Sequence, residues 1–252
     1  MAKIIAVTNQ KGGVGKTTTA VNVAAQLASG KQRVMLVDLD PQGNATSSLG
    51  IDKTKLSATL YDVLVGKAGL DAIVQPTTNQ NLFVLPSNPN LAEAEVQLVN
   101  MPGREQRLQQ ALQAVDVDIV IIDCPPALGL LTLNALVAAQ QVLIPVQSEY
   151  FALEGLGQLL QTIQLVRERL NPRLEILGVV LTMFNKRMVL SEQVMQEVQR
   201  HFGDKVFKTV IPRNVRLAEA PSFGKTIYEH DKWSKGARAY KHLAEEVAKR
   251  LA

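Results

Sequence analysis

The chain has 252 residues, 46% hydrophobic and 20% charged, with a net charge of +4, which is ample for one well-buried core of ordinary α/β size. Its only cysteine, Cys124, excludes an intramolecular disulfide, and no stretch approaches the roughly 18 apolar residues needed to span a bilayer. Met-Ala-Lys runs straight into an apolar segment in place of a secretory leader, so a reducing cytoplasmic setting is expected.

In chain order, Val- and Ile-rich runs recur at Ile4–Val7, Val34–Val37, Leu82–Leu85, Ile119–Ile122, Val142–Val146 and Ile176–Leu181. Short, nearly continuous apolar runs fit strands buried on both faces, as in a parallel sheet. Helix patterns lie between them at Thr17–Ala28, Glu105–Ala114, Leu131–Ala139, Leu153–Leu170 and Ser191–Phe202, the last with Ser191 as its cap. Residues 41–80, with Pro41, Gly43, Gly50, Gly66 and Pro76, read as loops and short helices inserted after the second strand. The last pattern, Lys235–Leu251, places Tyr240, Leu243, Val247 and Leu251 on a thin apolar face, with Glu245 and Glu246 interrupting its basic side. That favours core packing over a membrane-surface role. Strand–helix alternation predicts an α/β fold, a doubly wound, mostly parallel sheet flanked by helices, in a single domain over residues 1–252.

The first strand leads into Gln10-Lys11-Gly12-Gly13-Val14-Gly15-Lys16-Thr17-Thr18 and then a helix. Strand, glycine-rich loop and helix form the context of a phosphate cradle: backbone N–H groups turn inward and the helix N-terminus adds positive charge. Lys16 suits the β- and γ-phosphates, and the Thr17 hydroxyl suits Mg²⁺. Such loops usually carry a glycine where this chain has Gln10, and here a second lysine, Lys11, stands beside it.

Lys11 to Thr17 resembles the deviant Walker A box of the ParA/MinD ATPases. That resemblance implies ATP and Mg²⁺ as ligands, with Lys16 serving the loop's own ATP and Lys11 reaching the partner's across a sandwich homodimer. Asp38-Leu39-Asp40-Pro41-Gln42-Gly43-Asn44 is similar to the family's first switch, implying that Asp40 orients or activates the attacking water. From the residues alone, the Asp-Pro pair favours Asp40 as a turn-capping acid before proline. Ile121-Ile122-Asp123-Cys124-Pro125-Pro126 resembles the Walker B strand and second switch, implying Asp123 as a Mg²⁺ residue, with Cys124 a small spacer. The segments from Thr182 to Arg187 and from Ile211 to Ser222 resemble the chromosomal, Soj-type ParA proteins, as does Glu149–Gly155. They imply Met183, Pro212 and Asn214 at the adenine.

Charge is unevenly spread. Residues 183–252 hold 14 Lys and Arg against 8 Asp and Glu, while the rest of the chain is slightly acidic. A basic final third points to a polyanion. The Soj resemblance implies Arg187 and Arg216 as contacts to double-stranded DNA. Lys186 and Arg213 join them, with Lys225, Lys232, Lys235, Arg238 and Lys241 nearby. With no recognition-helix signature and no aromatic platform apparent, phosphate contact without base reading is expected. The resemblance further implies a nucleoid-associated chromosome- or plasmid-partitioning ATPase, stimulated by a ParB-type partner and independent of membrane. Its alternatives are positioning of another cargo, such as a carboxysome or chemoreceptor cluster, and a MinD-like division-site regulator. A cobalamin- or iron-cluster-type enzyme on the same scaffold is a further rival, though one cysteine makes an iron–sulfur site hard to build.

Overall fold

The computed structural model describes residues 2–149 and 154–252. The strands are β1 (Lys3–Val7), β2 (Val34–Asp38), β3 (Gln75–Pro76), β4 (Leu82–Leu85), β5 (Ile119–Asp123), β6 (Gln141–Gln147) and β7 (Glu175–Thr182). They form one sheet in the order β3-β4-β2-β5-β1-β6-β7, parallel throughout except for the β3–β4 edge pair. The six apolar runs thus become the six parallel strands. β3 has no apolar run to announce it, and a proline is tolerated there because an edge strand can spare an N–H.

The helices are α1 (Lys16–Ser29), α2 (Asn44–Ser48), α3 (Leu60–Leu64), α4 (Leu91–Leu98), α5 (Arg107–Ala111), α6 (Leu130–Ala138), α7 (Glu154–Arg169), α8 (Val189–Phe202), α9 (Val215–Glu219), α10 (Ile227–Asp231) and α11 (Lys235–Leu251). Both faces of the sheet are covered. Ile4, Ala6, Val37, Val120 and Ile122 pack beneath α3 to α8. Ile5, Val7, Leu36, Ile121 and Leu143 pack against α1 and α11. This is the two-sided burial that near-continuous apolar strands require. α11 joins that core: Tyr240, Leu243 and Val247 are buried, and the Tyr240 hydroxyl lies 3.1 Å from Thr19 Oγ1 of α1. Its face is broader than four side chains, because Gly236, Ala237, Ala239 and Ala244 are buried as well. A Cβ at Gly236 would sit 2.7 Å from Leu217 Cγ, so the small residue sets how closely α9 approaches.

Three expectations change. The pattern over Glu105–Ala114 breaks into a 3-10 turn, α5 and another 3-10 turn. There Asn134 inserts, accepting the Leu108 N–H and donating to the Arg104 carbonyl. Ser191 does not cap α8, which begins at Val189 after Met188; Ser191 is buried and its hydroxyl accepts the Asn185 N–H at 3.4 Å. α4 has no counterpart among the expected helices, although Leu91, Ala94 and Leu98 supply a buried stripe. Residues 150–153, which include Leu153 and most of the Glu149–Gly155 segment, lie outside the described residues.

Candidate nucleotide site and basic face

β1 lies between β5 and β6, at the point where successive connections depart to opposite sides of the sheet. The crevice beyond the carboxyl ends of strands at such a point is where open α/β sheets hold ligands. The loop after β1 begins at Asn9, whose Nδ2 donates to the Pro145 carbonyl at 2.7 Å and whose Oδ1 accepts the Lys11 N–H at 3.0 Å. Gly13 (φ 74°) and Gly15 (φ 86°) take the left-handed conformation that folds the loop back over α1. Gly12 and Gly13 are exposed, while Val14 is buried and its carbonyl accepts Thr182 Oγ1 at 2.8 Å, tying the loop to β7. Lys16, Thr17 and Thr18 form the first turn of α1.

The two lysines occupy different environments. Lys16 is buried, and its Nζ donates to the Lys11 carbonyl at 3.0 Å. Burial lowers its pKa, opposed chiefly by Asp123. The Lys11 side chain is 35% exposed at the rim, with its Nζ 3.8 Å from Glu149 Oε2.

A wall of carboxylates faces the loop. Asp38 and Asp123 are register partners at the ends of β2 and β5, and both are fully buried. Asp38 accepts the Thr46 N–H and hydroxyl, each at 2.7 Å, and the Asp40 N–H at 3.3 Å; burial nevertheless raises its pKa to about 6. Both oxygens of Asp123 are buried without a hydrogen-bond partner among the described residues, and burial together with Asp38 raises its pKa well above the usual carboxylate range. A buried carboxylate with two unpartnered oxygens, close to the Thr17 hydroxyl and Lys16, is a donor set suited to a hard divalent cation and its waters. Asp40 is 8% exposed; its Oδ1 accepts the Gln42 N–H at 2.9 Å and its carbonyl accepts Ser87 Oγ at 2.8 Å. Asp40 therefore does form the turn bond that the Asp-Pro pair favours. Cys124 is buried and its thiol pKa is pushed up by that burial, so it offers no thiolate.

Across the crevice, β7 ends at Thr182, and Met183 adopts a left-handed backbone (φ 50°), uncommon for a side-chain-bearing residue. Phe184 then bridges to Pro212, with the Phe184 N–H donating to the Ile211 carbonyl at 2.9 Å. That bridge brings Met183 and Pro212 together and sets two basic segments side by side. Asn214 caps α9 by accepting the Arg216 N–H at 2.9 Å.

Lys186, Arg187, Arg213 and Arg216 are all exposed on these segments. Arg216 is not a bare cation: its Nη1 lies 2.8 Å from Glu219 Oε2 and its Nε 3.8 Å from Asp231 Oδ2. The basic region also exposes three aromatics, Phe223, Tyr228 and Trp233. Sequence reasoning assigned no role to Asn9, Asp38, Glu149 or Thr182. Asp38, a second acid two residues before Asp40 at a strand's carboxyl end, was within reach of it.

An AAA domain family matches residues 2–176. The chain is 58% identical over 250 residues to the sporulation initiation inhibitor protein Soj of Bacillus subtilis, covering 98% of this chain and 99% of that one. It is 52% identical over 252 residues to the chromosome partitioning protein ParA of Myxococcus xanthus, covering 99% and 89% respectively. The crystal structure of cobyrinic acid a,c-diamide synthase from Mycobacterium smegmatis, with bound ATP analogue and magnesium, superposes with a TM-score of 0.88 at 40% identity, covering 100% of this chain and 96% of that one. Near-full-length identity at this level, on a sheet that sets the glycine-rich loop against Asp38, Asp40 and Asp123, places the chain in the Soj/ParA family of chromosome-partitioning ATPases.

Proposed function

We propose that the chain is a Mg-ATP-driven DNA-partitioning ATPase, working in the cytoplasm on the nucleoid. ATP closes it into a sandwich homodimer that binds double-stranded DNA without sequence preference, and hydrolysis, stimulated by a ParB-type partner, releases it. One observation carries this reading: the loop holds two lysines in two settings, Lys16 buried inside and Lys11 on the rim. Lys16 and the N–H groups of Gly12 to Thr18 cradle the chain's own triphosphate, while Lys11 reaches the triphosphate of a second copy. Burial between two subunits strengthens such a contact because water screens it less.

Thr17 and Asp123 hold Mg²⁺, which neutralises charge on the phosphates. Asp40 orients the attacking water with the oxygen that its turn does not use. Met183, Pro212 and Asn214 face the adenine. The partitioning relatives, at 52–58% identity, stand nearer in sequence than the synthase structure at 40%, which favours DNA cargo over a cobalamin-type reaction. Sizing the protein by light scattering with ATP, with ADP and without nucleotide, each with and without duplex, tests the reading. A dimer that needs ATP and alone retains duplex is the expected result; equal DNA binding in all three states would overturn it.

The carboxylate wall predicts a trade of stability for function. Asp123→Asn removes a carboxyl whose ionisation burial opposes, so the nucleotide-free variant should be more stable than the wild type, by about 1–3 kcal/mol near neutral pH. The sign follows from the raised pKa: burial holds the native Asp123 carboxyl to its proton more firmly than the unfolded chain does, so this group's contribution to wild-type stability falls as pH rises above the ordinary carboxylate range. The gap between the proteins should close in acid, and the variant should lose the thermal stabilisation that Mg-ATP confers. A variant less stable than wild type at every pH would contradict this.

Arg216→Ala should leave the dimer intact and weaken all duplexes alike. The loss should exceed that of one phosphate contact, because Glu219, left with His230 alone, and Asp231 then face the DNA without the guanidinium. The slope of log K against log salt should shrink by about 0.9 for each phosphate that the variant no longer neutralises. Loss confined to particular sequences would contradict phosphate contact.

A further inference from the structure

Among the described residues, the three exposed large aromatics fall within one short stretch: Phe223 (64% exposed), Tyr228 (47%) and Trp233 (77%). Scattered exposed apolar side chains need no explanation. Three aromatics confined to eleven residues within the basic final third do. Phe223 is occupied, stacked on His230 with ring centroids 5.0 Å apart. Tyr228 borders a groove with Gln26 of α1 and Lys241 of α11. Trp233 stands out from the turn between α10 and α11, with Lys232 Nζ 5.3 Å from its ring centroid.

The surroundings of Trp233 are cationic. Lys225, Lys232, Lys235 and Arg238 are exposed and form no ion pair among the described residues. The nearby acids are engaged elsewhere. Glu229 accepts the Thr226 N–H and hydroxyl, and also the Thr78 hydroxyl. Asp231 accepts the Trp233 N–H at 3.1 Å through Oδ1 and approaches Arg216 through Oδ2. One carboxylate therefore ties the backbone of Trp233 to Arg216, so the turn that carries the indole lies beside the arginine.

We propose that Trp233 is a duplex-DNA contact, its indole seated in the minor groove against sugars and base edges while Lys232 and Lys235 hold the flanking phosphates. The inference rests on the DNA-binding reading and deepens it: lysines alone give salt-labile attachment, whereas an aromatic wedge adds affinity that salt does not remove. Any base step offers the indole a surface, so the contact stays tolerant of sequence.

Trp233 is the chain's only tryptophan, so intrinsic fluorescence reports on it directly. Titrating the ATP-loaded protein with a mixed-sequence duplex should quench or blue-shift the emission and protect the indole from acrylamide. Trp233→Ala, with unchanged circular dichroism, should bind duplex about tenfold more weakly, with an unaltered slope of log K against log salt. Trp233→Phe should recover part of the loss. Duplex binding that leaves the indole open to acrylamide, with Trp233→Ala binding as wild type, overturns the assignment alone. No duplex binding by the wild type overturns the DNA reading and the assignment with it. Shielding of the indole by vesicles of anionic phosphatidylglycerol but not by duplex overturns it in favour of a lipid surface.

Discussion

Lys11→Ala is expected to leave a folded, nucleotide-binding chain that stays monomeric with ATP. The backbone of Lys11 keeps its work in the variant: its N–H donates to Asn9 Oδ1 and its carbonyl accepts Lys16 Nζ, neither of which needs the side chain. The side chain makes one half-exposed ion pair, 3.8 Å from Glu149, and such pairs contribute about 0–1 kcal/mol. Stability should therefore barely change. Across a closed dimer the same ammonium faces a desolvated triphosphate, and truncating one member of a buried charge pair costs about 2–5 kcal/mol. Two-fold symmetry repeats the loss at the second site, which shifts the dimer constant by several powers of ten. Light scattering across a concentration series reads this directly. A wild-type dimer constant in the variant would remove Lys11 from the interface.

Asp40→Ala is expected to bind Mg-ATP, dimerise, and remain dimeric, with turnover lowered about 10²- to 10⁴-fold, the usual worth of a positioned acid or base. Asp40 has two roles open to it, because its Oδ1 accepts the Gln42 N–H and so also shapes the turn before α2. Asp40→Asn separates them. An amide oxygen can still accept that N–H, but an amide is a far weaker base. Under the chemical role, single-turnover hydrolysis fails in both variants. Turnover near wild type in the Asn variant would reduce Asp40 to a turn residue.

These two residues also mark how far the sequence could be read. Lys11 to Thr18 announces itself because the chemistry is carried by consecutive residues: glycines free the backbone, and a helix follows at once. The parallel sheet was legible in the same way, since strands buried on both faces must be apolar at nearly every position. The face of α11 could be found from period alone, yet its breadth depended on alanines and a glycine that carry little hydrophobic signal.

What the chain order could not reveal is which distant residues meet. Asp38 and Asp123 are register partners only because β5 inserts between β1 and β2, and their mutual burial follows from that pairing. The Phe184–Pro212 bridge joins two basic segments that the sequence merely showed to be basic. Arg216 looked like a free cation until Glu219 and Asp231 were found beside it. The exposure of Trp233 among lysines likewise emerges only from the folded chain, in which the described aromatics outside residues 223–233 are buried or partly buried. Local backbone chemistry and periodicity are properties of neighbours in sequence, and the sequence by itself determined them. Charge compensation, desolvation and exposure are properties of neighbours in space, and only the tertiary structure decided those.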